Sequence, residues 1–93
     1  MTFAVKSNIF VAGEIANAGT PALADARALR SASVVTRVEQ AGHQFAGMVG
    51  MHELALGTTS NNAAFGPVRN PIDPAHVAGG SSGGSAEIGR AHV

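Results

Sequence analysis

Two places in this sequence carry side chains that could do chemistry. One is Lys6, and the other is the run Gly79-Gly80-Ser81-Ser82-Gly83-Gly84-Ser85. Glycines on both sides of Ser81-Ser82 open backbone angles closed to other residues and permit close approach by a substrate. The two hydroxyls can relay protons or donate to an oxyanion. Taken alone, such a run also reads as a flexible linker. A phosphate cradle is the weaker reading, because no Gly-Lys-Ser/Thr follows to reach the phosphates. Lys6 taken alone reads as an exposed lysine, since lysines are seldom buried. His52-Glu53 is not a metalloprotease helix, because no second histidine stands four residues after His52. No His/Asp/Glu cluster has metal-binding spacing, so neither a metal nor a cofactor is expected.

These groups must be positioned by the elements around them. "TFAVKSNIFVAG" reads as a short strand around Phe3, Ala4 and Val5, a polar break at Lys6-Ser7-Asn8, and a second apolar piece at Ile9-Phe10-Val11 closed by Gly13. Lys6 then falls at or just after a strand end. The Ala-rich stretch that follows is interrupted by Gly19 and Pro21, which leaves loop with a helical turn near Ala22 to Leu29. Ser31 or Ser33 can cap a helix with Val34, Val35, Val38 and Ala41 on one side, Arg37 and Glu39 outward, and Gly42 as its stop. "HQFAGMVG" has the character of a buried strand. Strand, helix and strand at this spacing suggest an α/β layer with a crossover helix. A short helical stretch in "MHELALG" precedes a long irregular segment from Thr58 that holds three of the four prolines.

Ninety-three residues make one small domain near the lower limit for a stable core. Hydrophobic residues at 45% and charged residues at 13% favour packed structure over disorder. Six basic residues balance six acidic ones without runs of either sign, which argues against a nucleic-acid or acidic-lipid partner. The absence of cysteine excludes disulfides and a thiol nucleophile. No apolar run approaches membrane-spanning length and the start lacks signal-peptide features, so the default expectation is a cytoplasmic protein without membrane contact.

Three ordered motifs shift the balance for the glycine-serine run. "FGPVRNPIDPAHVAGGSSGGSA" resembles the amidase signature family, whose hallmark is Asn-Pro-x-Asp-Pro running into Pro-Gly-Gly-Ser-Ser-Gly-Gly-Ser-Ala. "AVKSNIFVAGEIANAGTPAL" is similar to that family's lysine motif, and "GMHELALGTTSNNAAFGPVRNP" to its middle segment. The resemblance spans Thr2 to Ala86. It implies an α/β architecture that is part of the amidase signature fold, a mixed β-sheet core flanked by helices, with residues 1–86 a partial amidase domain and a fragment only.

The same resemblance implies a Ser-cisSer-Lys triad. Lys6 matches the catalytic lysine, which works as a neutral amine. Ser81 matches the serine after a cis peptide bond, here Gly80-Ser81, and lies 75 residues from Lys6 (81 − 6). Lys6 would take a proton from Ser81, and Ser81 one from the nucleophilic serine. Ser82 would support the network by hydrogen bonding, with Gly80 and Gly83 shaping the turn. Met51, Ser60 and Asn61 resemble positions near the substrate cleft. Arg69, Asn70 and Asp73 are expected to fix the long loop through backbone hydrogen bonds.

Departures from the pattern are also legible. Lys6-Ser7-Asn8 replaces the commoner Lys-Asp-Asn, Ala78 stands where proline is usual, and Gly50 occupies a place where asparagine is frequent. The family's nucleophilic serine and oxyanion amides belong to a later Gly-Gly-Ser loop that this sequence lacks, as it lacks the family's N-terminal helical portion. The family continues past "GGSSGGSA" into a buried alanine-rich helix, whereas Glu87, Arg90 and His92 bring polar groups there. One back-translation of Glu87 to Val93 matches a common short-read library adapter apart from its first base. Residues 87–93 are therefore expected to be a non-native tail, adapter-encoded or frameshifted.

The expected parent is an amidase that hydrolyses small linear carboxamides through an acyl-enzyme, without a cofactor, and that could form a homodimer when intact. The 93-residue chain itself is expected to be inactive. "MHELALGTTSNNAAFGPVRNP" is especially similar to amidases acting on aryl-acetamides. The alternatives are a fragment of the glutamyl-tRNA amidotransferase A subunit, which shares the motifs, and a non-catalytic structural or binding remnant.

Overall fold

The consecutive apolar residues Phe3-Ala4-Val5 carry the first strand, β1 (Thr2–Lys6), whose Val5 is buried. The computed structural model describes residues 1–91. A helix, α1 (Ser33–Gln40), follows, and then a second strand, β2 (Gln44–Val49). β1 and β2 pair in parallel, from Thr2 opposite Gln44 to Lys6 opposite Val49. The register shifts between Phe3 and Ala4, where Ala46 is the extra residue of β2. Parallel neighbours need a crossover, and α1 lies in it, as the strand-helix-strand spacing implies. Val5, Val11 and Val35 form the buried core, with Phe3, Ile9, Ala32, Phe45 and Met48 packed against it. Phe3 and Phe45 meet edge to face across the two strands at 6.0 Å.

Several local expectations change. Strand geometry continues through Lys6, Ser7-Asn8 forms a turn closed by Ile9 N–H donating to Lys6 O at 3.0 Å, and Ile9 to Val11 is irregular rather than extended strand, with Val11 dropping into the core. Neither serine caps α1. Ala32 is its N-cap residue, and the Ser31 hydroxyl instead accepts from Ala12 N–H at 2.9 Å. Only Val35 of the α1 apolar side is buried, while Val34 faces an open groove. The expected turn over Ala22 to Leu29 shrinks to a 3-10 turn at Pro21–Leu23. Beyond it the chain runs extended, because Ala26 and Ala28 bond to Ala16 and Glu14. β2 is only partly buried.

The segment after Thr58 contains a small antiparallel pair, β3 (Asn61–Asn62) and β4 (Gly66–Pro67). The Arg69 guanidinium donates to Pro74 O at 3.2 Å. Asn70 Oδ1 accepts from Ile72 N–H and Asp73 Oδ1 from Ala75 N–H, both at 3.0 Å. The three side chains fix the loop in the way their types imply.

A last helix, α2 (Gly83–Ala91), begins inside the glycine-serine run. It crosses the boundary between Ala86 and Glu87 without a break. His92 and Val93, and the side chain of Arg90, which belong to the expected tail, lie outside the described residues. No helix among the described residues is long and apolar enough to cross a membrane. The small sheets and helices make a partial α/β fold.

Candidate active site

Lys6 is the last residue of β1, so its side chain leaves the sheet where the strand ends. The loop entering α2 returns to that point. Lys6 Nζ donates to Ser81 Oγ at 2.7 Å across 75 residues of sequence, and the Gly80-Ser81 peptide bond is cis. Both side chains are part-buried. A lysine amine and a serine hydroxyl at this distance can pass a proton between them.

The turn around Ser81 is held from below by two neighbouring segments. His52 N–H donates to Ser81 O at 3.1 Å, and the Ser60 hydroxyl reaches the same oxygen at 3.4 Å. Ser60 Oγ in turn accepts from Gly83 N–H at 3.0 Å. Gly84 N–H donates to Gly50 O at 2.9 Å. The glycines therefore serve close approach, but by the protein's own backbone and by Ser60. A Cβ on Gly83 would overlap the Ser60 side chain, and one on Gly84 would lie 2.6 Å from Gly50 N. Gly50, a departure in the sequence, meets α2 through its main chain.

Ser7, another departure, is buried and donates its hydroxyl to Val49 O at 2.8 Å, which ties the end of β1 to the end of β2. Ser82 is exposed, and among the described residues no hydrogen bond joins its hydroxyl to Lys6 or Ser81. It lines a groove of about 420 Å³ with Lys6, Ser85 and an apolar wall that includes Val5 and Val35.

Of the three expected cleft residues, Ser60 alone is hydrogen-bonded, among the described residues, to the turn that carries Ser81. Met51 is buried and lines a different cavity, of about 430 Å³, with Asn17, Gly50, Asn62 and Val68. Ser60 has 0% exposure and lies under the turn, with its hydroxyl accepting from Gly83 N–H. Asn61 is exposed on β3. Its neighbour Asn62 is the structural residue: its amide donates to Gly19 O at 2.7 Å and Met51 O at 3.2 Å, and its oxygen accepts from Ala64 and Phe65 N–H. The sequence signal missed was the pairing of a buried-type small serine with two glycines that leave room for it. Among the described residues no group of three His, Asp or Glu side chains could hold a metal ion.

Residues 1–88 match the sequence profile of the Amidase family. The chain belongs to this family. Among curated amidase relatives, the A subunit of the glutamyl-tRNA(Gln) amidotransferase of Salinibacter ruber is 44% identical over 86 residues, covering 92% of this chain and 17% of the relative. The crystal structure of the corresponding Thermotoga maritima protein superposes with a TM-score of 0.91 at 35% identity, covering 95% of this chain and 20% of its own. An inhibitor-bound chain from a vestigial protein complex, tied to the origins of an s-triazine catabolic enzyme, gives a TM-score of 0.96 at 36% identity, covering 99% of this amidase chain and 20% of its own. This chain thus spans about a fifth of the length of the amidases it matches.

Proposed function

We propose that this segment supplies the base and the relay serine of an amide-hydrolysing site. The observation that carries the reading is the 2.7 Å contact between Lys6 Nζ and Ser81 Oγ. In this reading the Lys6 amine accepts the Ser81 proton while Ser81 accepts one from a nucleophilic serine supplied from outside these 93 residues. The nucleophile attacks the amide carbonyl, the C–N bond breaks, and the departing nitrogen takes the proton back along the same path. Water then releases the acyl group as a carboxylic acid. Residues 1–93 alone have no turnover in this scheme, because they hold neither the attacking oxygen nor an oxyanion hole.

Two parent enzymes fit. The curated relatives favour a glutamyl-tRNA(Gln) amidotransferase A subunit, a parent expected to work with a partner subunit and to release ammonia from glutamine. The second reading, a free amidase acting on aryl-acetamides, rests on the similarity of the "MHELALGTTSNNAAFGPVRNP" segment alone. The test uses a full-length protein carrying residues 2–86, assayed for ammonia release from glutamine and from an aryl-acetamide. Turnover of glutamine supports the first parent, and turnover of the aryl-acetamide alone supports the second. With either substrate, Lys6→Ala should lower kcat by about 10²–10⁴-fold. Unchanged turnover would remove Lys6 from the mechanism.

A further inference from the structure

Ser60 combines features that packing alone does not require. It is fully enclosed, and its backbone sits in the left-handed region at φ +53°, uncommon for a residue with a Cβ. Such positions persist where the surroundings enforce them, and they cluster at functional sites. Its carbonyl accepts from Asn62 N–H at 3.0 Å and Val68 N–H at 3.1 Å, which fixes it to the β3–β4 region. Its hydroxyl touches the chain on both sides of Ser82, at Gly83 N–H and at the Ser81 carbonyl. Gly80 and Gly83 leave no space for a Cβ against it. Substrate cannot reach a side chain with 0% exposure.

We infer that Ser60 is a positioning residue whose buried hydroxyl sets the Gly80–Gly83 turn and so lays the Ser81 hydroxyl on Lys6. The inference rests on the proposed Lys6–Ser81 relay, but its test reads that contact and needs no turnover. Lys6 is the only lysine in the sequence. Its reaction with trinitrobenzenesulfonate in dilute solution, separated from the Met1 amine by tandem mass spectrometry, therefore reports on one side chain.

Ser60→Gly removes the hydroxyl and suits the positive φ; Ser60→Ala removes it without added backbone freedom. Ser81→Ala is the reference for a released Lys6. All three variants should label Lys6 roughly five-fold faster than the parent, the scale of one lost hydrogen bond, with circular dichroism and Tm close to parental for Ser60→Gly. Parental labelling in both Ser60 variants beside faster labelling in Ser81→Ala overturns the inference and leaves the relay standing. Parental labelling in Ser81→Ala overturns the relay itself, and the role of Ser60 with it. Loss of the folded signal in both Ser60 variants reduces Ser60 to a packing residue and equally overturns the inference.

Discussion

Asn61 and Asn62 are chemically identical neighbours with opposite fates. A strand sends successive side chains to opposite faces, so one is exposed and the other is buried at 5% exposure with both ends of its amide engaged. Removing the Asn62 side chain leaves the buried carbonyls of Gly19 and Met51 without their donor. Asn62→Ala should cost about 2–3 kcal/mol in urea unfolding, against less than about 0.5 kcal/mol for Asn61→Ala. Equal effects would contradict the anchoring role of Asn62. The distinction was not legible in the sequence, because the phase of a two-residue strand inside a proline-rich segment is set by partners far away. Lys6 and Ser81 were legible only through their motifs. Neither charge nor local pattern marks a lysine that ends 2.7 Å from a hydroxyl 75 residues away.

The elements show the same division. β1, α1 and β2 could be read from apolar spacing, because each places at least one side chain of the core cluster at the expected phase. The start of α2 could not, since Gly83 and Gly84 have the poorest helix propensity of any residue but proline. Glycine is required at both positions despite that cost, because the backbone of Gly50 and the side chain of Ser60 occupy the space where a Cβ would stand. Gly89, in the same helix, has nothing within 4 Å of its Cβ direction. Opposite responses to one substitution follow. Gly89→Ala should stabilise α2 by up to about 1 kcal/mol through helix propensity alone. Gly84→Ala should destabilise by about 1–3 kcal/mol, because the obstacle is backbone and cannot rotate away. Thermal melts of the two variants decide this, and a tolerated Gly84→Ala would mean that α2 does not lie against Gly50.

For the whole molecule, dimensions carry the argument. The chain is a slab of 38 × 34 × 16 Å with a radius of gyration of 13.2 Å, against about 12 Å for a compact chain of this length. Its accessible surface of 5841 Å² exceeds the roughly 5,000 Å² typical of a folded monomer of this mass. A thickness of 16 Å holds the two-stranded sheet and little more than one layer of helix beside it, since a helix with its side chains is about 10 Å across. Large apolar side chains consequently face water: Leu29 is 97% exposed, Leu56 80% and Ile72 67%, while Phe10 and Phe65 are also exposed. Composition hid this. A hydrophobic share of 45% is ordinary for a packed domain, and only the arrangement shows how much of it has no cover. Apolar surface of this extent drives association. The isolated chain should therefore sediment as oligomers whose size grows with concentration, and it should enhance the fluorescence of anilinonaphthalene sulfonate. A concentration-independent monomer in analytical ultracentrifugation with no dye binding would show that this surface is closed in solution by a rearrangement of the slab.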